Sequence, residues 1–241
     1  MKIIAHRGFS KSYPENTIIS FEKAIEAGVD MIETDIRLSA DNIPIVFHDK
    51  TLLRVSKIDQ KPENKKLEEL KKLDAGSWFH EDFSGLGILT LDELIEKVHG
   101  RTSLILEMKF YVHTYKRACI EIESRIRDKV DWVEISSFSD LILHTIFALN
   151  PRIALHKLIH EKKTLEMDNF DEIYAFVQYF DIEVSLKDHP KVSELIKTHK
   201  VIFWTVDDEP IQEQIDSGLY GAMSNDPVSL KHKYEKTSQR S

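Results

Sequence analysis

Val29-Asp30-Met31-Ile32-Glu33-Thr34-Asp35-Ile36-Arg37-Leu38, then Ser39-Ala40-Asp41-Asn42, then Ile43-Pro44-Ile45-Val46-Phe47-His48 is the stretch whose reading decides the fold. Residues 29–38 read as a strand, and residues 43–47 as another. The short link between them holds no helix, and a parallel crossover needs about a dozen residues or more. The two strands are therefore expected to form an antiparallel hairpin that turns at Asp41-Asn42 and sets His48 opposite Glu33.

Outside this hairpin the pattern alternates. Short apolar runs at 2–5, 103–109, 131–136, 153–158, 180–186, 201–206 and 220–224 read as strands. Helical spacing appears at 16–27, 91–98, 115–129, 140–149, 191–199 and 211–217. Eight strands mostly separated by helices predict an α/β fold, a single (β/α)8 TIM-type barrel with the antiparallel hairpin after its second strand. A doubly wound sheet is the alternative, but no G-x-G-x-x-G turn follows the first strand. Residues 50–90 form an insertion with a charge run at 57–72 and the aromatics Trp78, Phe79 and Phe83. It is expected at the barrel mouth, shaping access. Residues 1–230 then make one barrel domain, and 231–241 a disordered tail.

Composition agrees with a single folded unit. The chain has 241 residues, 41% of them apolar and 31% charged, which excludes a disordered chain and a membrane-spanning bundle. Barrels run to about 250 residues as one domain. The net charge of −8 argues against duplex nucleic acid as a partner, because such binding needs clustered Lys and Arg. Cys119, the single cysteine, has no internal disulfide partner, which fits a reducing compartment. The apolar start is cut short by His6-Arg7, so neither a signal peptide nor stable membrane insertion is expected, and the location is read as cytoplasmic.

Some residues carry chemistry. On a strand, Glu33 and Asp35 point the same way, about 6.7 Å apart. Two carboxylates on an apolar strand are costly to bury, and a divalent cation between them removes the cost. Glu107 and Lys109 repeat the spacing, and Glu107 offers a further oxygen ligand. His6-Arg7 stands where the first strand runs out, which is the active-site end of a barrel. Histidine carries protons near neutral pH, and the arginine fork suits phosphate. Through the hairpin His48 joins them. No G-x-S-x-G elbow supports a serine nucleophile, and no His-x-His on the first strand supports a zinc amidohydrolase.

Taken in order, His6-Arg7-Gly8, Pro14-Glu15-Asn16-Thr17, Glu33-Thr34-Asp35, His48-Asp49, Leu73-Asp74-Ala75-Gly76, Leu89-Thr90-Leu91-Asp92-Glu93, Glu107-Met108-Lys109, Ser137-Phe138, Trp204-Thr205-Val206 and Gly221 to Pro227 resemble the glycerophosphodiester phosphodiesterase family over nearly the whole chain. The resemblance implies a metal-dependent hydrolase that cleaves glycerophosphodiesters, as small-molecule substrates, to glycerol 3-phosphate and an alcohol. It maps one divalent metal ion, Mg²⁺ or Ca²⁺, onto Glu33, Asp35 and Glu107. The catalytic histidines map onto His6 and His48, and substrate contacts onto Arg7, Lys109, Glu15, Asn16 and Trp204. The chain departs from the family pattern at Asp207, where Asn is usual, and at Ser224-Asn225-Asp226-Pro227, where Thr-Asp before a Pro is usual; both departures are expected at the rim. A lysophospholipase D-like enzyme with an apolar rim of Phe79, Phe83, Phe110 and Tyr111, and a non-catalytic phosphoester-binding barrel, are the competing readings.

Overall fold

The computed structural model describes residues 1–110 and 113–235. Its strands are β1 (Lys2–His6), β2 (Met31–Leu38), β3 (Pro44–Val46), β4 (Ser103–Met108), β5 (Val133–Ser137), β6 (Leu155–Ile159), β7 (Tyr179–Glu183), β8 (Lys200–Trp204) and β9 (Gly221–Ser224). Eight of them run parallel in the ring β1-β2-β4-β5-β6-β7-β8-β9, and β1 pairs with both β2 and β9 to close it. This is a TIM barrel, as the alternation predicts. The ring works because the strands alternate between an apolar outward face and an inward face that mixes apolar and charged residues. One set of positions packs outward under the helices, among them Ile32, Ile36, Leu104 and Ile135. The alternating set, including Ile4, Met31, Ile105, Tyr179, Ile202 and Met223, forms a separate cluster within the ring.

The ninth strand, β3, lies outside the ring and runs antiparallel to the far end of β2, with Ile36 opposite Val46 and Leu38 opposite Pro44. That register is one residue away from the one expected, so the line through the ladder sets His48 across from Thr34 rather than Glu33. The connection explains the slip. Ser39 N–H donates to Ile43 O at 3.0 Å and Asn42 sits at φ 62°, so the link closes as a loop with one more residue than a tight turn.

Helix ends follow local chemistry. Leu91–Val98 starts at a reciprocal capping box, in which Thr90 Oγ1 accepts from Glu93 N–H and Glu93 Oε2 accepts from Thr90 N–H. The closing helix is Pro227–Glu235, so residues 231–235 of the expected tail are helical, and the rest of that tail, 236–241, lies outside the described residues. Its start carries a readable signal, Asp226 before Pro227, with Asp226 Oδ1 accepting from Ser229 N–H at 3.0 Å.

The insertion has a small core of its own, formed by Leu52, Val55, Leu70, Ala75 and Ile88 with Ile45 and Phe47. Asp74 ties its loop by accepting from the backbone N–H groups of Gly76, Ser77 and Gly85. Gly76 has no alternative there, because a Cβ would stand 1.9 Å from Phe83 O. Among the described residues no helix is long and apolar enough to cross a membrane.

Candidate active site

The mouth of the barrel is the C-terminal ends of the strands. His6 ends β1, Glu33 and Asp35 lie on β2, and Glu107 lies near the end of β4. The register puts His6 beside Glu33 and Asp35 beside Glu107. A cavity of about 330 Å³ opens there, lined by His6, Arg7, Glu33, His48, Glu107, Lys109, Phe138 and Trp204. Despite the register slip, His48 therefore reaches the same cavity as His6. A second cleft beside it shares Glu107, Lys109 and Phe138 and adds Arg37, Lys50 and Phe110.

The turn after β1 is built around Arg7. This residue adopts φ 59°, uncommon for a residue with a side chain, and Gly8 follows at φ 81°. A Cβ at Gly8 would stand 2.5 Å from Ser20 Oγ, so the turn can only sit against the helix Ile18–Glu26 with glycine here. Arg7 N–H donates to Glu33 O at 2.9 Å and to Glu33 Oε2 at 3.2 Å. Its side chain lies 3.2 Å from Asp35 Oδ2 through Nε and donates to Glu15 Oε1 at 3.1 Å through Nη1. Lys109 Nζ donates to Glu107 Oε1 at 2.5 Å and stands 3.3 Å from Asp35 Oδ1.

The three acidic groups Glu33, Asp35 and Glu107 are buried, and they offer oxygens that all lie within 4.8 Å of one another. Glu33 Oε1 and Asp35 Oδ1 have no hydrogen-bond partner. Burial, then Asp35 and Glu107, drives Glu33 well above the usual carboxylate range. Burial also pushes Glu107 up to about 7. Burial would raise Asp35 too, but Arg7 and Lys109 outweigh it and hold that carboxyl below its ordinary range. Crowded, partly unpaired carboxylates of this kind fit a hard cation with oxygen ligands.

Both imidazoles are oriented from behind. Asn225 Nδ2 donates to Asp207 Oδ2 at 2.7 Å, which turns Asn225 Oδ1 toward His6 Nδ1, also at 2.7 Å. His6 thus carries its hydrogen on Nδ1 and keeps Nε2 free, 3.9 Å from Glu33 Oε2. Burial, then Arg7, lowers His6 to about 4. His48 Nδ1 meets Asp49 Oδ1 at 2.7 Å, and burial lowers its affinity for a proton as well. The departures at Asp207 and Asn225 are therefore not confined to the rim: they form one hydrogen-bonded pair that touches His6.

Glu15 and Asn16 do not line the main cavity. Glu15 stands behind Arg7, and Asn16 is buried, donating from Nδ2 to Asp35 Oδ2 at 2.8 Å and accepting from Thr34 Oγ1 at 2.7 Å. Both contact groups of the site, and both line a smaller pocket with His48. Trp204 does line the cavity, held by its Nε1–H to Asp181 O at 3.0 Å and edge-on to Phe138. Residues 50–90 do not line this cavity, but Lys50 lines the second cleft, and Arg54, Val55, Ala75, Trp78 and Ile88 line a smaller pocket with His48. Phe79 and Phe83 pack against each other and on to Tyr13, and Tyr111 lies outside the described residues. Arg54, which the sequence reading did not single out, and Asn225, noted there only as a departure from the family pattern, both bond to groups of the site.

With this geometry in hand, the comparisons with known proteins decide the family. The model of the glycerophosphoryl diester phosphodiesterase family matches residues 6–229. The chain belongs to that family. The class of enzyme follows from it, a phosphodiesterase. A glycerophosphodiester phosphodiesterase of Caldanaerobacter subterraneus is 33% identical over 238 residues, covering 95% of each chain. Among solved structures, an Oleispira antarctica phosphodiesterase in complex with the product sn-glycerol-3-phosphate superposes with a TM-score of 0.87 at 29% identity, over 96% of each chain. A glycerophosphodiester phosphodiesterase from Thermotoga maritima gives a TM-score of 0.80 at 26% identity, covering 95% of this chain and 97% of its own.

Proposed function

We propose that the protein hydrolyses glycerophosphodiesters to glycerol 3-phosphate and an alcohol, with a divalent cation, Mg²⁺ or Ca²⁺, held by Glu33, Asp35 and Glu107, and with His6 and His48 moving the protons. The observation that carries this reading is the trio of buried carboxylates, two of their oxygens without a hydrogen bond, beside two imidazoles that line one cavity. The glycerol 3-phosphate bound by the Oleispira relative supports the same product here.

The cation, when bound, supplies Lewis-acid polarisation of a non-bridging phosphate oxygen. Arg7 and Lys109, both locked against Asp35, meet the charge that grows on the phosphoryl oxygens. One imidazole takes the proton of the attacking hydroxyl, either water or the substrate's own 2-hydroxyl, the latter giving a cyclic phosphate that water then opens to glycerol 3-phosphate. As the new P–O bond forms and the bond to the alcohol breaks, the other imidazole protonates the departing oxygen. Each has Nδ1 engaged and Nε2 available for this task. Such proton transfer contributes about 10²–10⁴-fold. Buried, unpaired Cys119 fits a reducing, cytoplasmic setting.

The test is an activity panel of glycerophosphocholine, glycerophosphoethanolamine and lysophosphatidylcholine, scored by release of choline or ethanolamine with chelator and with Mg²⁺ or Ca²⁺ added back. Metal-dependent release from the first two is the expected result. Turnover indifferent to chelation, or cleavage of the lysophospholipid alone, would overturn the proposal.

A further inference from the structure

The insertion meets the site at Arg54, a residue outside the cavity wall whose guanidinium is fully committed. Its Nε donates to Asp49 Oδ2 at 2.7 Å and its Nη2 to Asp49 Oδ1 at 3.0 Å, a two-pronged grip. The same Nη2 donates to Glu15 Oε1 at 2.7 Å, and Nη1 to Glu15 Oε2 at 3.3 Å. Its back rests on Trp78, 4.5 Å from the ring centre. Trp78 in turn is fixed by its Nε1–H to Ala75 O at 2.9 Å.

Both carboxylates are shared. Asp49 Oδ1 also takes the Nδ1–H of His48, and Glu15 Oε1 also takes Nη1 of Arg7. One planar cation thus stands behind two different groups at the mouth. A further hold on His48 comes from Arg37, whose Nε donates to His48 O at 3.1 Å while its Nη1 pairs with Glu63 of the insertion at 2.9 Å. The mini-core of the insertion anchors this assembly from the side away from substrate.

We propose that Arg54 is a positioning residue that sets the orientation of His48 through Asp49 and of Arg7 through Glu15, and that this bracing is the work of the 50–90 insertion. The proposal rests on the function proposed above, in which His48 moves a proton and Arg7 holds phosphate. It divides the two effects. Losing the Asp49 branch disturbs a proton carrier and lowers kcat. Losing the Glu15 branch loosens a phosphate contact and raises KM. Only a planar fork stacked on an indole reaches both carboxylates at once, so lysine is no substitute.

The experiment measures kcat and KM for glycerophosphocholine with saturating metal in Arg54→Ala, Arg54→Lys, Asp49→Asn, Glu15→Gln and the double variant Arg54→Ala/Asp49→Asn. His48→Ala and Arg101→Ala run alongside; Arg101 pairs with Glu22 in an exposed contact away from the site. Arg54→Ala is expected to lose about 10–100-fold in kcat, on the scale of other groups that orient site residues, with KM raised about fivefold. Arg54→Lys should fall clearly short of wild type in both, Asp49→Asn should reproduce the kcat loss alone, and Glu15→Gln the KM rise alone. The double variant should have a kcat no lower than Asp49→Asn, and millimolar guanidinium should restore part of the Arg54→Ala activity. Arg101→Ala should match wild type. Wild-type kcat and KM in Arg54→Ala or Arg54→Lys, or kcat losses that multiply in the double variant, would overturn the inference. If His48→Ala also kept full activity, the failure would belong to the proposed function; if His48→Ala is dead and Arg54→Ala is normal, it belongs to this inference alone.

Discussion

Two groups of buried charges share the inside of one barrel, and they are finished differently. At the mouth stand Glu33, Asp35 and Glu107, with Arg7 and Lys109 between them. Toward the N-terminal ends of β5, β6 and β7 stand Glu134, His156 and Asp181. There His156 Nε2 meets Glu134 Oε2 at 2.7 Å, its Nδ1 meets Asp181 Oδ1 at 3.0 Å, and its ring stacks on Tyr179 at 4.0 Å. Among the described residues, the buried side-chain atoms without a hydrogen bond are Arg7 Nε, Glu33 Oε1, Asp35 Oδ1 and Glu63 Oε2. Three belong to the mouth, and none to the His156 group. A polar cluster whose partners are all present holds a fold together, whereas one left incomplete waits for a ligand.

The strongest way to break this comparison is at the imidazoles. His6→Ala and His48→Ala should each lose about 10²–10⁴-fold in kcat with little change in Tm, whereas His156→Gln should leave the chemistry in place and strike stability. Steady-state kinetics beside thermal melts separates them, and a collapse of Tm in His6→Ala would erase the distinction.

Next in size is the lower cluster. Removing one partner of a buried charge pair costs about 3–5 kcal/mol, so Asp181→Ala should lower Tm by roughly 6–20 °C in a chain of this length. The same cluster makes stability depend on pH. Burial alone would lower the pKa of His156, but Asp181 and Glu134 reverse this and raise it to about 9 from an ordinary 6.5. A raised base contributes stability that is complete below pH 6.5 and is lost as pH climbs through 9. Melts of metal-free protein should show Tm falling over that window, and His156→Gln should flatten the fall.

The smallest expected effect has the opposite sign. Glu33 is raised well above its ordinary range, so its charged form opposes folding near neutral pH. Glu33→Gln should raise the Tm of metal-free protein, by about 1–2 kcal/mol in stability, while shrinking the rise in Tm that Ca²⁺ or Mg²⁺ gives the wild type. Unchanged metal response in this variant would remove Glu33 from the ligand set.

The eight staves were legible because each is an apolar run framed by turn residues and helical spacing. Glu33 and Asp35 were legible because a period of two puts two acids on one face. What escaped depends on distance along the chain. Arg54 takes its meaning from Glu15, far upstream, and from a stacking partner, Trp78, in another loop of the insertion. The hydrogen bonds that Asn16 makes to Thr34 and Asp35 likewise join residues about twenty positions apart. The register of β3 turned on a single loop residue, which composition does not weigh. The closing helix was missed although Asp226-Pro227 announces it, because a chain end rich in Lys and Ser looks like a loose terminus.

Because β3 hangs on the outer edge of β2, His48 is delivered by a ribbon that is no part of the closed wall. The acids sit on the wall itself. Repacking beneath the ribbon, at Ile45, Leu52 or Ile88, would shift His48, a proton carrier in the proposed function, and leave Glu33, Asp35 and Glu107 where they are. Turnover and grip can therefore drift apart under mutation, each along its own lineage of changes.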